Sequence, residues 1–395
     1  MPKVRTGLDI LVAQDFAPLR EMRVGLVTHP GAVDARLRHV IDLLSAAPRV
    51  TLAAVFGPEH GLLGQAQDLI GLTSSESKQA TPVPVHSLYG STPESLRPTA
   101  EQLKDLDALV IDMQDVGSRY YTFQGTMRYC MEAALPRGMK VFILDRPNPL
   151  GGAVIEGPAV RKGFESFVSV HDLATRHGLT VGELAMLYQR ELELQKGELH
   201  VVQCEGWKRG QYFDETGLPW VLPSPNMPTL ETAVVYPGQC LIEGTNLSEG
   251  RGTTRPFEIC GAPWLDATKL ARRLNDEKLS GVYFRATWFR PTFQKHANKD
   301  CGGVQLHVTD RAAFQPVRTT LALLAIIREM SGEKFAWRGE TYEFVKKPIA
   351  IDLLFGSSRE REHLTAGKPW RELLPEWEKE EAAFEHRRHM HLLYD

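Results

Sequence analysis

Between residues 22 and 150 the chain alternates short, unbroken apolar runs with longer segments patterned at helical spacing. The runs Met22–Thr28, Val50–Phe56, Val83–Leu88, Ala108–Met113 and Lys140–Leu144 are continuous and rich in β-branched residues. Such runs suit strands covered on both faces, the situation in a parallel sheet. Helix candidates Arg36–Ser45, Glu94–Leu106 and Thr122–Leu135 fall between them. The repeated strand–helix order predicts a Rossmann-like α/β domain with an open, mostly parallel sheet. No GxGxxG follows the first run, so the pattern does not predict a dinucleotide cofactor.

Residues 150–260 are rich in Gly, Pro and Trp and carry one clear helical pattern, Thr180–Leu194, introduced by Thr180 and Glu183 at capping-box spacing. Farther on, α/β character resumes with helix Asp266–Lys278, strands Val282–Phe289 and Gly303–Val308, and helix Pro316–Met330. Trp370–Leu393 reads as a charged surface helix. The expected division is a Rossmann-like domain over residues 1–160 and a smaller α/β domain over residues 161–395.

Composition narrows the function classes. The 395 residues carry 46 Lys and Arg against 49 Asp and Glu, a formal charge of −3, which gives no basic footprint for nucleic acid. No stretch approaches the ~20 apolar residues that span a bilayer. The five cysteines are scattered and never form a CxxC pair, which fits a reducing compartment better than a disulfide framework or a zinc site. The N-terminus has no apolar core of a secretory leader, so the chain reads as cytoplasmic, or as a mature form whose leader was removed. His386, Arg387, Arg388, His389 and His391 read as a solvated tail. A homodimer is compatible with this size, and no sequence feature specifies it.

In open α/β sheets ligands bind beyond the carboxyl ends of the strands. Polar groups cluster at those ends here. Phe56–Gly61 places Glu59 and His60 on a Gly/Pro-framed turn after a buried run, where Pro and Gly hold the backbone. A carboxylate held in that way can serve as a general acid, or simply cap the next helix. Asp112–Phe123 contains Asp115 and Arg119, which can pair with each other or meet a ligand, and Tyr121, a stacking face for a sugar. Glu132 on the following helix is either an arginine's partner or a cleft group. Asp145–Pro149 supplies Arg146 and Asn148, and Glu156 lies between two small-residue turns. The loop-dense stretch Pro219–Trp264 gathers Asn226, Glu243, Asn246, Glu249, Arg251 and Thr254, a binding surface for a polar ligand.

The strings FGPEHG, DMQDVGSRYYTF, LDRPNPLGG, EGP, ESFVS, RHGLTVGELA, PSPNMPT and EGTNLSEGRGTTRPFE resemble the exo-β-N-acetylmuramidases of peptidoglycan recycling, a group long known only as a domain of unknown function. The resemblance covers nearly the whole chain. It implies a cleft between the two domains and release of non-reducing-terminal N-acetylmuramic acid from peptidoglycan saccharides or muropeptides, without metal or organic cofactor. Glu59 is the first catalytic residue it implies. Glu132 and Glu156, with Asp115 behind them, are the candidates for a second. His60, Arg119, Tyr121, Arg146, Asn148, Asn226, Glu243, Asn246, Glu249, Arg251 and Thr254 would shape the sugar site, with Arg251 or Arg119 on the lactyl carboxylate. The segment Asp172–Thr175 departs from the family pattern. The alternatives are a glycosidase for another acidic amino sugar and a non-catalytic sugar-binding protein.

Overall fold

The computed structural model describes residues 4–67, 81 and 83–395. The five apolar runs become strands β1 (Arg23–Thr28), β2 (Thr51–Gly57), β3 (Val85–Ser87), β4 (Ala108–Asp112) and β5 (Lys140–Leu144), joined by β6 (Leu199–Val202). They form one sheet in the order β3-β2-β1-β4-β5-β6, with every pair parallel. β4 is buried at every position, as a central strand covered by helices on both faces must be. β6 lies beyond residue 160, so the first sheet draws on chain from both sides of the expected boundary.

The second sheet is antiparallel, with β7 (Ile259–Ala262), β8 (Val282–Phe289) and β9 (Cys301–Val308) in the order β7-β9-β8. Helix Ala267–Asp276 covers it, and helix Pro316–Ser331 packs against that helix. Helix Leu230–Gln239 has no counterpart in the sequence reading, because Pro237 and Gly238 in its last turn look like a loop signal. Gly238 is required by contact: a Cβ there would lie 2.0 Å from the Pro316 carbonyl oxygen. Its lack of a side chain lets this helix sit directly on the start of helix Pro316–Ser331. One apolar cluster runs from Ile111 and Met127 through Tyr236 to Leu323 and Trp377, so the two sheets share a core.

The C-terminal segment differs from the expected solvated tail. Trp370, in the turn Trp370–Leu373, and Trp377 and Phe384, on the closing helix Leu374–Arg388, recur every seven residues and are buried. Arg388 is also buried, and its guanidinium donates to the carbonyls of Gly152 and Gly178, both at 2.8 Å. The apolar stripe docks the helix, and the docked helix presents Arg388 to these carbonyls; the Gly178 carbonyl also accepts from Arg209 at 3.0 Å. Among the described residues no helix is long and apolar enough to cross a membrane.

Helix Pro316–Ser331 also bears on Glu156. Its Oε1 accepts the Arg318 backbone N–H at 2.7 Å, and burial pushes its carboxyl up to about 7, against the opposing pull of Arg318. The folded value exceeds the unfolded one, so the folded chain binds this proton more tightly. This contribution is fully present below the ordinary carboxylate range and is lost as pH rises through about 7. Glu156→Gln is therefore expected to gain stability relative to wild type on going from pH 4.5 to pH 8, by on the order of 2–3 kcal/mol. Thermal melts of both proteins across that range check it; parallel curves would remove Glu156 as the source.

Candidate active site

The turn after β2 positions Glu59. The Gly57 carbonyl accepts the Leu88 N–H at 2.8 Å, and Gly61 N–H closes the turn onto the Pro58 carbonyl at 3.0 Å. His60 takes a left-handed φ of 70°, a conformation that costs about 1–3 kcal/mol outside glycine and tends to persist at functional sites. Its Nδ1 lies 2.9 Å from the Ala66 carbonyl oxygen. Glu59 is 5% exposed, and its Oε2 accepts the Thr122 hydroxyl at 2.7 Å.

Glu59, His60, Tyr121 and Thr122 face a chamber of about 480 Å³, open mouth included, whose other walls include Asn226, Tyr236, Glu243, Arg251, Tyr342 and Glu343. Strand-end loops of the first sheet thus meet groups from the distant C-terminal half. The Tyr121 hydroxyl is buried beside Ser224, yet no described group meets it in good hydrogen-bonding geometry. Burial holds this phenol well above its ordinary value, so it stays protonated and can donate. Asn226 reaches from the loop Pro223–Thr229, its amide donating to Gln67 at 2.7 Å.

A chain of buried charges crosses the floor. Tyr342 donates to Glu243 Oε2 at 2.8 Å, and Arg251 contacts Glu243 Oε1 at 2.8 Å and Glu249 Oε1 at 3.2 Å. Lys295 closes the series, 2.8 Å from Glu249 Oε2. Burial acts to raise the Glu249 carboxyl, but Lys295 and then Arg251 hold it below the ordinary range. Beyond this chain opens a second chamber of about 890 Å³, open mouth included, which shares Glu243 and Arg251 with the first.

The roof comes from residues 336–345. Ala336 and Arg338 pair with the backbone of residues 244–246, through Asn246 N–H to the Ala336 carbonyl at 3.0 Å and Arg338 N–H to the Gly244 carbonyl at 2.9 Å. Tyr342 and Val345 then exchange two backbone hydrogen bonds of 2.9 Å around Glu343 and Phe344, whose φ values are 45° and 68°. That is the arrangement of a primed hairpin turn, which normally takes Asn-Gly. Phe344 packs against Tyr89, 5.8 Å between rings, and the Tyr89 hydroxyl donates to Glu343 at 3.1 Å. These contacts hold a strained turn that puts a carboxylate into the chamber.

Comparison with known proteins agrees with this architecture. Residues 24–231 match the family described as exo-β-N-acetylmuramidase NamZ, N-terminal, and residues 234–394 its C-terminal counterpart. The chain belongs to the NamZ family. The peptidoglycan β-N-acetylmuramidase NamZ of Bacillus subtilis (strain 168) is 45% identical over 395 residues, spanning all of this chain and 92% of its own length. Two crystal structures of DUF1343 family proteins from Bacteroides fragilis NCTC 9343 share the fold. One has a TM-score of 0.90 at 35% identity over the whole of both chains. The other has a TM-score of 0.76 at 27% identity over 99% of each.

Within this NamZ-family fold the residues singled out from sequence divide sharply. Glu59, His60, Tyr121, Asn226, Glu243 and Arg251 line the first chamber; Asn246 and Glu249, with Glu243 and Arg251 again, line the second. The others lie elsewhere. Glu132 sits on the outer face of its helix, paired with Arg97 at 2.6 Å and Arg128 at 2.8 Å. Glu156 is buried against Arg318, and Asp115 accepts Gly117 N–H at 2.6 Å with His177 3.3 Å away. Arg119 is fully buried and binds the carbonyls of Pro158, Leu173, Leu354 and Phe355. Arg146 forms a two-pronged pair with Asp112 at the point where the strand order reverses, between β1 and β4. Asn148 shapes its own turn through Leu150 and Leu179, and Thr254 is exposed on a loop. Sequence reasoning missed Arg338, Tyr342 and Glu343, whose only local signal is the aromatic- and charge-rich string Trp337–Phe344.

Proposed function

We propose that this chain is an exo-acting glycoside hydrolase that releases N-acetylmuramic acid from the non-reducing end of peptidoglycan fragments, with Glu59 as general acid. The observation that carries it is the placement of Glu59. A rigid, strained turn holds it in a walled chamber, and a single described hydroxyl donor satisfies one of its oxygens. A protein that only bound sugar would gain little from a second carboxylate, Glu343, delivered to the same chamber by another strained turn. As general acid, Glu59 gives a proton to the glycosidic oxygen as the C1–O bond breaks, water adds to C1, and the proton released returns to Glu59. Glu343 supplies the second carboxylate, which meets the positive charge developing on the sugar ring. Glu243 does not take that role, since Arg251 and Tyr342 already hold both its oxygens.

The test is chromophore release from the para-nitrophenyl β-glycosides of N-acetylmuramic acid and N-acetylglucosamine. Cleavage of the first with the second intact is expected. Inactivity on both would place the chain among sugar-binding proteins, and equal cleavage would make it a broader hexosaminidase.

A further inference from the structure

The second chamber is lined by Thr245, Asn246, Lys295, His296, Trp337 and Arg338, in addition to the charges it shares with the first. Most of its polar groups are already committed. Lys295 directs its ammonium to three acceptors, the carbonyls of Ile242 and Thr245 and the Glu249 carboxylate. The Asn246 amide clamps the roof, donating to the Lys334 carbonyl and accepting Ala336 N–H. His296 holds the Asn246 carbonyl at 2.7 Å, and burial lowers its basicity, so it is neutral above its ordinary range. Arg251 divides its guanidinium between Glu243 and Glu249.

Arg338 is different. Among the described residues no acceptor takes a hydrogen bond from its guanidinium. The nearest carboxylate, Glu340, is 3.9 Å away and 79% exposed, which makes it a weakly competing surface partner. The side chain is nevertheless held. Its backbone is pinned to Gly244, and its guanidinium carbon lies 5.1 Å from the centre of the Tyr342 ring. Such stacking orients the planar fork and leaves its N–H edge for a ligand. Tyr342 is itself a wall of the first chamber, so Arg338 stands one ring away from the Glu59 site.

We propose that the second chamber is an anion subsite in which Arg338 pairs with the free carboxylate of the lactyl arm of a muramic acid seated in the first chamber. This rests on the muramidase reading of the first chamber. Muramic acid differs from glucosamine by that arm alone, and a charge-assisted two-pronged contact discriminates strongly against a ligand without the acid. Arg338 is thereby the residue that selects the substrate, a role that neither Arg119 nor Arg251 can fill with its guanidinium already committed.

Calorimetric titration of wild type, Arg338→Gln and Arg338→Lys with N-acetylmuramic acid and with N-acetylglucosamine tests the assignment, alongside hydrolysis of the two chromogenic glycosides. Wild type is expected to favour the muramic sugar at least tenfold. The Gln variant should lose that preference through weaker binding of the muramic sugar alone, and the Lys variant should recover part of it. Unchanged preference in Arg338→Gln, or an equal loss for both sugars, overturns the proposal. If wild type cleaves the muramic glycoside but its sugar preference does not depend on Arg338, the subsite is wrong and the muramidase reading stands. If wild type cleaves neither glycoside yet prefers the muramic sugar through Arg338, the subsite stands and the catalytic reading falls.

Discussion

Glu59→Gln is expected to slow hydrolysis of a muramyl-glucosamine disaccharide by about 10³-fold, within the range that a positioned general acid supplies. The amide keeps the size of the side chain and can still accept the Thr122 hydroxyl, so the turn after β2 and the chamber walls should persist. What is lost is the proton for the departing oxygen. The loss should therefore depend on the leaving group. A sugar alkoxide is a poor leaving group and needs the proton, whereas para-nitrophenolate leaves readily without it. Steady-state rates on the disaccharide and on the chromogenic glycoside separate the roles: a much smaller defect on the activated substrate identifies Glu59 as the acid. Equal defects on both would instead make it the nucleophile or a charge stabiliser, and Glu343 would become the candidate acid.

The second large effect concerns the floor of the cleft. Arg251→Met keeps most of the side-chain volume but strands Glu243 and Glu249, which are 4% and 1% exposed. Removing one partner of a buried ion pair leaves uncompensated charge and typically costs about 3–5 kcal/mol. Lys295 still faces Glu249, so the greater part of the penalty should arise at Glu243, whose remaining described donors are Tyr342 and the weak Cys240 thiol. In wild type the lowered Glu249 carboxyl contributes stability above the ordinary carboxylate range, and this is lost as pH falls through the folded value. In the variant that contribution shrinks, and acidification neutralises the stranded groups. The gap in melting temperature between the two proteins should therefore be widest near neutral pH and narrow towards pH 5. A gap that does not change with pH would assign the loss to packing, in particular to the contact of Arg251 with the Phe257 ring, 5.0 Å away.

The candidate site was partly legible for a physical reason. Glu59 and His60 sit on a turn whose Gly and Pro reveal it, at the end of a strand whose unbroken apolar run reveals it in turn. The Glu243–Arg251 stretch shows itself by polar density between prolines. Arg119, by contrast, stands beside Tyr120 and Tyr121 in an equally suggestive string, yet it points into the core and ties four backbone carbonyls. Residue type and spacing are the same for a buried arginine that staples loops and for one that holds a ligand. Only the set of acceptors around the guanidinium tells them apart. Glu132 repeats the lesson: Arg128, one helical turn before it, already marked the pair that removes it from the cleft.

Five of the six strands of the first sheet were determined locally, because a strand covered on both faces must be apolar at successive positions and helices must alternate with such strands to cover them. The charge balance and the turn chemistry around Glu59 were likewise carried by neighbouring residues. What tertiary structure alone decided is which groups meet. β6 joins the sheet from beyond the expected boundary, and helix Leu230–Gln239 forms despite Pro237 because Gly238 can rest on Pro316. Above all, the roof that carries Arg338, Tyr342 and Glu343 is a primed turn without glycine or asparagine. Its conformation is imposed by Tyr89, Phe344 and the backbone of residues 244–246, contacts that span from about ninety to more than two hundred and fifty positions. Local propensity opposes that turn, so only the assembled fold could place it over the cleft.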